Sequence, residues 1–277
     1  MKRVSSPSLP RSAAPVRALQ RALAILDAFS LDETHLSLSR LAAKTALPKA
    51  TVFRLASTLV LESYLERVSD GYEIGLQCFR LGNIFRDGID LRTQALPHLI
   101  NLRDQTGETV QLAVLSGNSA VYLERVFSQR PVAYMRSRVG AVLPAYSTGV
   151  GKALLAFQPA EEIERFLQEA PRERFTSNTI TEPDDLRAEF ARIRSRGFAL
   201  DSEERESGVR CIAAPIFDHM NRCVAAVSIA APAERLPLPI EKSEYMHYVT
   251  QAGALISRTL GFPGIVSRAK ASSAVNN

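Results

Sequence analysis

Cys211 is the side chain in this sequence with the clearest potential for covalent chemistry. Arg210 precedes it and would lower the pKa of its thiol, while His219 or His247 could serve as a base. Nothing in the spacing places either imidazole beside the sulfur, and a cysteine that opens an apolar run is typical of a buried, unreactive residue. A cysteine enzyme is therefore an alternative that the sequence allows without favouring.

Phosphate binding and acid/base chemistry each have one incomplete pattern. The segment Gly149–Lys152 has the Gly-Lys ending of a phosphate loop, but Tyr146 stands where the Walker pattern needs glycine, and Ala153 where it needs serine or threonine. The acidic run Glu203–Glu206 contains an arginine and is typical of a solvated loop. We therefore predict no catalytic residue, no bound nucleotide and no other cofactor.

Metal, disulfide and membrane sites are not supported either. The three cysteines contain no CxxC pair, and the four histidines have no ligand-like spacing. Residues 1–15 are rich in Ser, Pro and Ala and lack the apolar run of a signal peptide, and no later segment offers about 18 uninterrupted apolar residues. We expect a cytoplasmic protein with reduced thiols, no metal site and no membrane partner.

The composition is that of an ordinary globular protein with uneven charge. The 277 residues are 46% hydrophobic and 23% charged, which excludes wholesale disorder, collagen and a disulfide scaffold. This length predicts about two domains. Residues 1–80 hold 11 Lys+Arg against 7 Asp+Glu, whereas residues 81–277 hold 23 against 22, so most of the net charge of +5 lies in the first third. This asymmetry indicates a polyanionic partner for that segment.

The first third carries the pattern of three short helices. Leu19, Ala22, Leu23, Leu26 and Phe29 form one apolar stripe at helical spacing, which predicts a helix buried on that face. Ser37 stands as an N-cap before a second helix that should end near 45–46. Pro48 then opens a third helix that reaches about Leu61, because its fixed φ suits the first helical turn.

The third helix and the residues after it predict a winged helix-turn-helix. Its apolar face is opposed by a small, polar and singly charged one, and two alternating runs follow across an Asp70-Gly71 turn, as in a hairpin. A helix with short outer side chains can enter the major groove of DNA, although the same face would suit a solvated bundle. The candidate DNA contacts are Lys49, Thr51, Phe53, Arg54, Ser57, Thr58 and, on the wing, Arg67.

The second part of the chain predicts an antiparallel sheet flanked by helices, which is an α+β architecture. We expect strands at 111–115, 121–125, 132–136, 211–217 and 223–229, and helices at 151–157, 160–169, 183–195 and 240–260. Between the two parts, 90–105 has helical spacing with Pro97 inside, which predicts a helix that bends or restarts there and ends at Gly107.

Five segments together resemble one family. The segment Leu36–Leu55 closely resembles the helix-turn-helix of IclR-type bacterial transcription regulators, and four further segments match that family's signatures in order and spacing: 72–75, 106–110, 149–153 and 201–216. The match covers about residues 16–262. Two positions depart from the pattern, because Ala46 replaces the usual turn glycine and Ala50 replaces a frequent serine.

The resemblance implies a fold class and a division of the chain. The class is α+β, with a winged helix-turn-helix followed by a linker helix and a GAF-like effector-binding domain. The implied domains are a disordered tail at 1–15, the DNA-binding domain at 16–85, the linker helix at 86–106, the effector-binding domain at 107–263 and a flexible tail at 264–277.

The resemblance also implies an effector site. The matching positions are Gly149 and Val150, whose amides open a helix, together with Asp201, Cys211 and Ser228, and we add Met135 as an apolar wall. A second hydroxyl is common where Ala230 stands here, so we expect an acid less polar than a tiny oxoacid. Glycines that open a helix expose N–H groups suited to a carboxylate, although a tight strand-to-helix turn would also explain them.

The function implied is that of a transcription regulator whose binding to double-stranded operator DNA responds to a small organic acid, controlling a catabolic operon. We expect self-association as a dimer or tetramer, because one short recognition helix gains affinity when two half-sites are held together. The alternatives are a stand-alone small-molecule sensor and the cysteine enzyme.

Overall fold

The computed structural model describes residues 16–30, 32–88, 90–130, 137–239 and 243–263. The chain forms two compact units, Met1–Gly88 and Ile89–Asn277. The predicted tails at 1–15 and 264–277, the predicted strand at 132–136 and the candidate effector residue Met135 lie outside the described residues.

The N-terminal unit contains helices and a small antiparallel sheet whose strands have the order β1-β3-β2. Its elements are α1 (Arg17–Asp27), β1 (His35–Leu36), α2 (Leu38–Thr45), α3 (Lys49–Leu61), β2 (Leu65–Val68), β3 (Gly71–Ile74) and α4 (Leu76–Gly88).

Local chemistry fixes the limits of α2 and α3. The Ser37 hydroxyl accepts a hydrogen bond from the Arg40 amide at 3.2 Å and caps α2, as predicted. Ala46 ends the helix in the left-handed region, with φ 53° and ψ 29°, so the turn keeps the geometry that a glycine would adopt more easily. Pro48 then precedes α3, and its carbonyl accepts hydrogen bonds from the backbone amides of Thr51 and Val52.

The core of this unit lies between the helices and the wing. Its fully buried members are Ile25, Leu36, Leu41, Val52, Ala56, Leu65 and Tyr72. The apolar face predicted for α3 is therefore confirmed. The stripe predicted for α1 is wrong at its N-terminal end, because Leu19 and Leu23 are 58% and 50% exposed and only the C-terminal half of α1 packs inward.

The predicted wing is confirmed as a hairpin. β2 and β3 pair antiparallel, with Val68 opposite Gly71 across the turn and Arg67 opposite Tyr72. A side chain at Gly71 would collide with the backbone of Leu36, which belongs to the neighbouring strand β1. β1 and α4 are elements that the sequence did not predict.

The C-terminal unit is built on a six-stranded antiparallel sheet with the order β6-β5-β4-β9-β8-β7. Its elements are α5 (Asp90–Thr106), β4 (Thr109–Ser116), β5 (Ser119–Val126), β6 (Val142–Pro144), α6 (Gly149–Ala156), α7 (Ala160–Glu169), α8 (Pro183–Arg196), β7 (Ala199–Ser202), β8 (Val209–Phe217), β9 (Cys223–Pro232) and α9 (Glu244–Thr259).

Helices cover both faces of this sheet and give it two cores. On one face, α5 and α9 pack against Ile212, Val227 and Ile229. On the other face, α6, α7 and α8 pack against Tyr122 and Ala213. The mixed α+β architecture is therefore as predicted, and β6 and β7 are additional edge strands.

The helix α5 runs through Pro97 without restarting. Leu91, Ala95, Leu99 and Leu102 are buried in the core below the sheet, so both halves of the helix are held by packing. This burial outweighs the hydrogen bond that proline removes. Gly107 follows the helix with φ +72° and ends it, as predicted.

Candidate functional site

The first candidate surface is the outer face of α3. Lys49, Phe53, Arg54 and Thr58 are exposed and Thr51 is half-buried, while Val52 on the opposite side is fully buried. The helix therefore presents short side chains around one central arginine, which leaves room for close approach to a flat or grooved partner.

The two hydroxyls at the C-terminal end of this face already form hydrogen bonds within α3. Ser57 Oγ donates to the Phe53 carbonyl at 2.8 Å, and Thr58 Oγ1 donates to the Arg54 carbonyl at 3.2 Å. Their proton is used within the helix, so their oxygens can accept a further hydrogen bond but do not readily donate one.

The cations of this candidate surface have no acidic partner in the part of the unit that the structure describes. Within the described residues, no carboxylate forms an ion pair with Lys49, Arg54 or the wing residue Arg67. By contrast, Arg40 and Lys44 both contact Glu33, and those contacts lower the pKa of its carboxyl group. The free positive charge therefore lies on α3 and the wing rather than on α2.

The second candidate site lies on the sheet face covered by α6. Asp201 on β7 is the register partner of Cys211 on β8. Ala213, two residues further along β8, is the register partner of Ser228 on β9. Paired residues, and those two apart, share a face of a sheet. The structure thus brings Asp201, Cys211 and Ser228 to one side.

The N-terminus of α6 meets this face. A methyl group added at Gly149 would lie 3.3 Å from Cys211 Cβ and 3.7 Å from Asp201 Cβ, whereas one added at Gly151 would collide with the backbone of Ala145. Thr148 caps the helix by accepting the Gly151 amide at 3.1 Å. The amides of Gly149 and Val150, at the first two helical positions, have no acceptor within the helix and lie at its positive end.

Burial sets the protonation of the acidic group at this site. Asp201 is buried and accepts the Glu204 amide at 2.8 Å. Burial, together with the nearby Glu204, raises the pKa of Asp201 to about 7, and the ammonium of Lys152 opposes the rise. Asp201 can therefore hold or release a proton near neutral pH.

A buried ion pair lies beside Asp201. Lys152 on α6 and Glu204 after β7 are both almost fully buried, and the Lys152 ammonium donates to Glu204 Oε1. Burial raises the pKa of Glu204 despite the attraction of Lys152. The pair fixes α6 against the segment that follows β7.

The thiol of Cys211 has the opposite character from a nucleophile. Burial, and then the negative charge of Asp201, raise the pKa of Cys211 well above its usual value. The neighbouring Arg210 does not activate it, because that guanidinium is paired with Glu203 at 2.8 Å. The site therefore favours a neutral thiol, which is a compact and weakly polar wall.

Several polar residues of this face were not identified from the sequence. Burial, together with the nearby Cys211 and Asp201, raises the pKa of the Tyr122 phenol, and Thr148 opposes the rise. Ser228 Oγ donates to Gln111 Oε1 at 3.3 Å, and Gln111 Nε2 in turn donates to Ser137 Oγ. Alternation along a strand predicts that Gln111 and Tyr122 each point to one side of the sheet. Only the strand register shows that this side is the one covered by α6.

Other kinds of site find no support in the described part of the chain. No three His, Cys, Asp or Glu side chains there are close enough to share a metal ion. None of the helices that the structure describes has the length and apolar character of a membrane span.

Two family models match the chain along most of its length. The model described as "IclR helix-turn-helix domain" matches residues 18–69, and the one described as "Bacterial transcriptional regulator IclR C-terminal" matches residues 85–258.

Curated relatives are similar over most of their length. The HTH-type transcriptional regulator XynR of Escherichia coli strain K12 is 34% identical over 251 residues, which cover 90% of this chain and 98% of that protein. BhcR of Paracoccus denitrificans strain Pd 1222 is 36% identical over 224 residues, which cover 80% and 79%.

Solved structures agree with the sequence matches. The Thermotoga maritima IclR has a TM-score of 0.67 at 33% identity, covering 88% of this chain and 98% of that one. An IclR homolog from Microbacterium hydrocarbonoxydans, complexed with 4-hydroxybenzoate, has a TM-score of 0.74 at 28% identity with the same coverage. With both halves of its sequence and its fold matched, the chain belongs to the IclR family of helix-turn-helix transcriptional regulators, which carry a C-terminal effector-binding domain.

Proposed function

We propose that α3 recognises operator DNA and that the C-terminal unit binds a small organic acid, which changes operator affinity. The observation that carries this proposal is the exposed face of α3, where short polar side chains surround Arg54 and the cations have no carboxylate partner among the described residues. A face of this kind fits the major groove, where side chains reach base edges.

The residues of this surface divide into two roles. Thr51 and Arg54 face base edges, with Phe53 available for a thymine methyl group, and the hydroxyls of Ser57 and Thr58 accept hydrogen bonds. Lys49 at the helix start and Arg67 on the wing bind phosphates and set the orientation. Ala50 supplies no hydrogen bond at its position.

Self-association would place two such helices on two half-sites. Exposed apolar side chains support it: Leu19 and Leu23 on α1, and Leu76, Phe79 and Ile84 on α4. Large apolar side chains that remain exposed on helices of one unit are typical of a surface that another copy covers. A dimer is the smallest assembly that presents two recognition helices to two half-sites, and a tetramer would present two such pairs.

The effector site would be the sheet face at the N-terminus of α6. The Gly149 and Val150 amides, Asp201 and Ser228 offer hydrogen bonds, and Cys211 offers a neutral wall. Ala230, opposite Cys211, adds no hydroxyl, which favours an aromatic or longer-chain acid. The 4-hydroxybenzoate in the Microbacterium homolog supports this class. Met135 remains a proposed apolar wall.

The regulated genes would encode proteins that act on the same acid. The regulator itself would work in the cytoplasm.

Operator binding is tested with DNA selected from a random pool by the full chain and with DNA upstream of its own gene. We expect one recurring motif and a footprint that weakens with salt. Arg54→Ala should lower affinity about tenfold or more by removing a base contact. The matched control is Arg165→Ala, an exposed arginine of α7 outside the DNA-binding unit, which should bind normally. Absence of a specific shift at every salt concentration would refute the proposal.

A further inference from the structure

The effector face contains one cation that the family motifs do not include. Arg125 on β5 lies opposite Gln111 on β4, and Gln111 lies opposite Ser228 on β9. These register partners share one face of the sheet, and it is the face that carries Asp201 and Cys211. Arg125 therefore belongs to the polar layer of this face, which also contains Gln111, Ser228, Cys211 and Asp201.

A chain of hydrogen bonds connects Arg125 to that layer. Its Nη1 donates to the Ser137 carbonyl, Ser137 Oγ accepts from Gln111, and Gln111 accepts from Ser228 at 3.3 Å. Each link holds the next side chain in one orientation. The guanidinium is thus positioned rather than free to follow solvent.

Arg125 is incompletely satisfied within the described residues. Its Nε is buried and has no hydrogen-bond partner there, and its other described contact is the face of the Phe127 ring, 4.8 Å from the guanidinium carbon. No carboxylate forms an ion pair with it in the described part of the chain. A planar guanidinium with N–H groups to spare suits a carboxylate, which binds through two parallel hydrogen bonds.

Two other partly buried arginines of this unit are completed by a carboxylate. Arg210 pairs with Glu203, and Arg235 forms two hydrogen bonds with Glu108. Burial and the nearby positive charge of Arg138 lower the pKa of Arg125. The charged guanidinium is therefore less stable here than in water, and a bound anion would offset this loss of stability. A carboxylate would complete Arg125 in the same way and would also balance its charge.

We propose that Arg125 binds the carboxylate of the organic-acid effector and selects acids over neutral analogues. The inference rests on the proposed effector site and gives it a cationic end, with Ser137, Gln111 and Ser228 as the positioning chain. The carboxylate thus lies at Arg125 rather than at the amides that open α6, and the opposite end of the bound acid faces Asp201, Cys211 and those amides. A neutral ligand of the same shape leaves the guanidinium without its counter-charge.

The test compares acids with their own amides. The full chain is titrated calorimetrically at pH 8 with 4-hydroxybenzoate and a panel of aromatic and medium-chain monocarboxylates, each beside its neutral primary amide. We expect the wild-type chain to bind at least one acid about tenfold or more tightly than its amide, as for a charge-assisted hydrogen bond. Arg125→Gln should remove this preference while binding of the amide changes about twofold or less.

Two variants control for general damage. Arg125→Lys keeps the charge without the planar fork and should retain part of the preference. Arg165→Gln on α7, whose arginine pairs with Glu162 at the surface, should retain all of it. The ratio of acid to amide affinity is measured within each variant, so lowered stability that weakens both ligands leaves the ratio unchanged.

The outcomes separate the two proposals. An unchanged acid-to-amide ratio in Arg125→Gln overturns the role of Arg125 and leaves the organic-acid effector in place. A wild-type chain that binds no acid of the panel overturns both the role of Arg125 and the acid effector. Operator binding, measured separately, is untouched by either result.

Discussion

Among single residues, Asp201 has the environment that most affects behaviour with pH. Its carboxyl group is buried between the start of α6, Cys211 and Glu204, and its pKa is about 7. An unfolded aspartate titrates near 3.8. Between these two pH values the native chain binds more protons than the unfolded chain, so this group lowers the free energy of unfolding as pH rises from about 4 to about 7.

Asp201→Asn should remove that pH dependence. An amide keeps the hydrogen bond from the Glu204 amide and carries no charge at any pH. The variant should therefore gain stability over the wild-type chain at pH 8 relative to pH 5, by about 1 kcal/mol or more. Urea unfolding of both chains at the two pH values measures this difference. An equal difference at both pH values would contradict the assigned pKa.

The residues of the polar layer differ in whether the sequence alone could identify them. Asp201, Cys211 and Ser228 are candidates only because their positions match effector-pocket positions of the resembled family, and their common face emerges from the strand register. Gln111 and Tyr122 lie on the same face and belong to no motif. A one-residue slip in register would turn either side chain to the other core, so sequence alone could not include them.

At the scale of elements, the turn between α2 and α3 stores a small strain. Ala46 occupies the left-handed region, where its Cβ costs about 1–2 kcal/mol, and the greater freedom of unfolded glycine returns about 0.4–1 kcal/mol of that. Ala46→Gly should therefore raise the free energy of unfolding by about 0.5–1 kcal/mol.

The control for this substitution lies one turn earlier. Ala43 is an exposed residue within α2, where glycine should lower the free energy of unfolding by about 1 kcal/mol. Urea unfolding of the full-length variants compares the two signs. Destabilisation by both glycines would show that the turn does not hold Ala46 in the left-handed region.

The elements that sequence patterns predict best are those with a clear buried stripe. α3, α7, α8 and the long strands β8 and β9 are confirmed within one to three residues at each end. α4 escaped prediction because its large apolar side chains whose burial the structure describes, such as Leu76 and Phe79, remain exposed and form no stripe toward a core. β1 and β7 are two and four residues long, too short for alternation to be recognised.

At the scale of the whole molecule, the exposed apolar residues of the N-terminal unit predict self-association. Leu23→Glu combined with Phe79→Glu places charges on both α1 and α4, so sedimentation should show a shift from dimer or larger species toward monomer. Operator affinity should fall with it, because half-sites are no longer held together. Met220→Glu, in an exposed turn between β8 and β9, is the control and should leave the assembly intact. An unchanged mass for the double variant would exclude these surfaces as the interface.

The two units must also be coupled if an acid is to control DNA binding. A ligand shifts operator affinity only by its differential affinity for the DNA-bound and free forms, and the effect is reciprocal. The polar layer around Asp201 and Arg125 is the proposed origin of that differential affinity, and its buried Lys152–Glu204 pair ties α6 to the segment after β7.

As a regulator, the chain binds a specific DNA sequence with an affinity that an organic acid changes. The most direct measurement is fluorescence anisotropy of the selected operator titrated with the full chain, with and without the acid that binds it best. We expect the acid to change the operator Kd about fivefold or more, and the operator to change the affinity for the acid by the same factor. Identical operator binding at saturating acid would contradict the account.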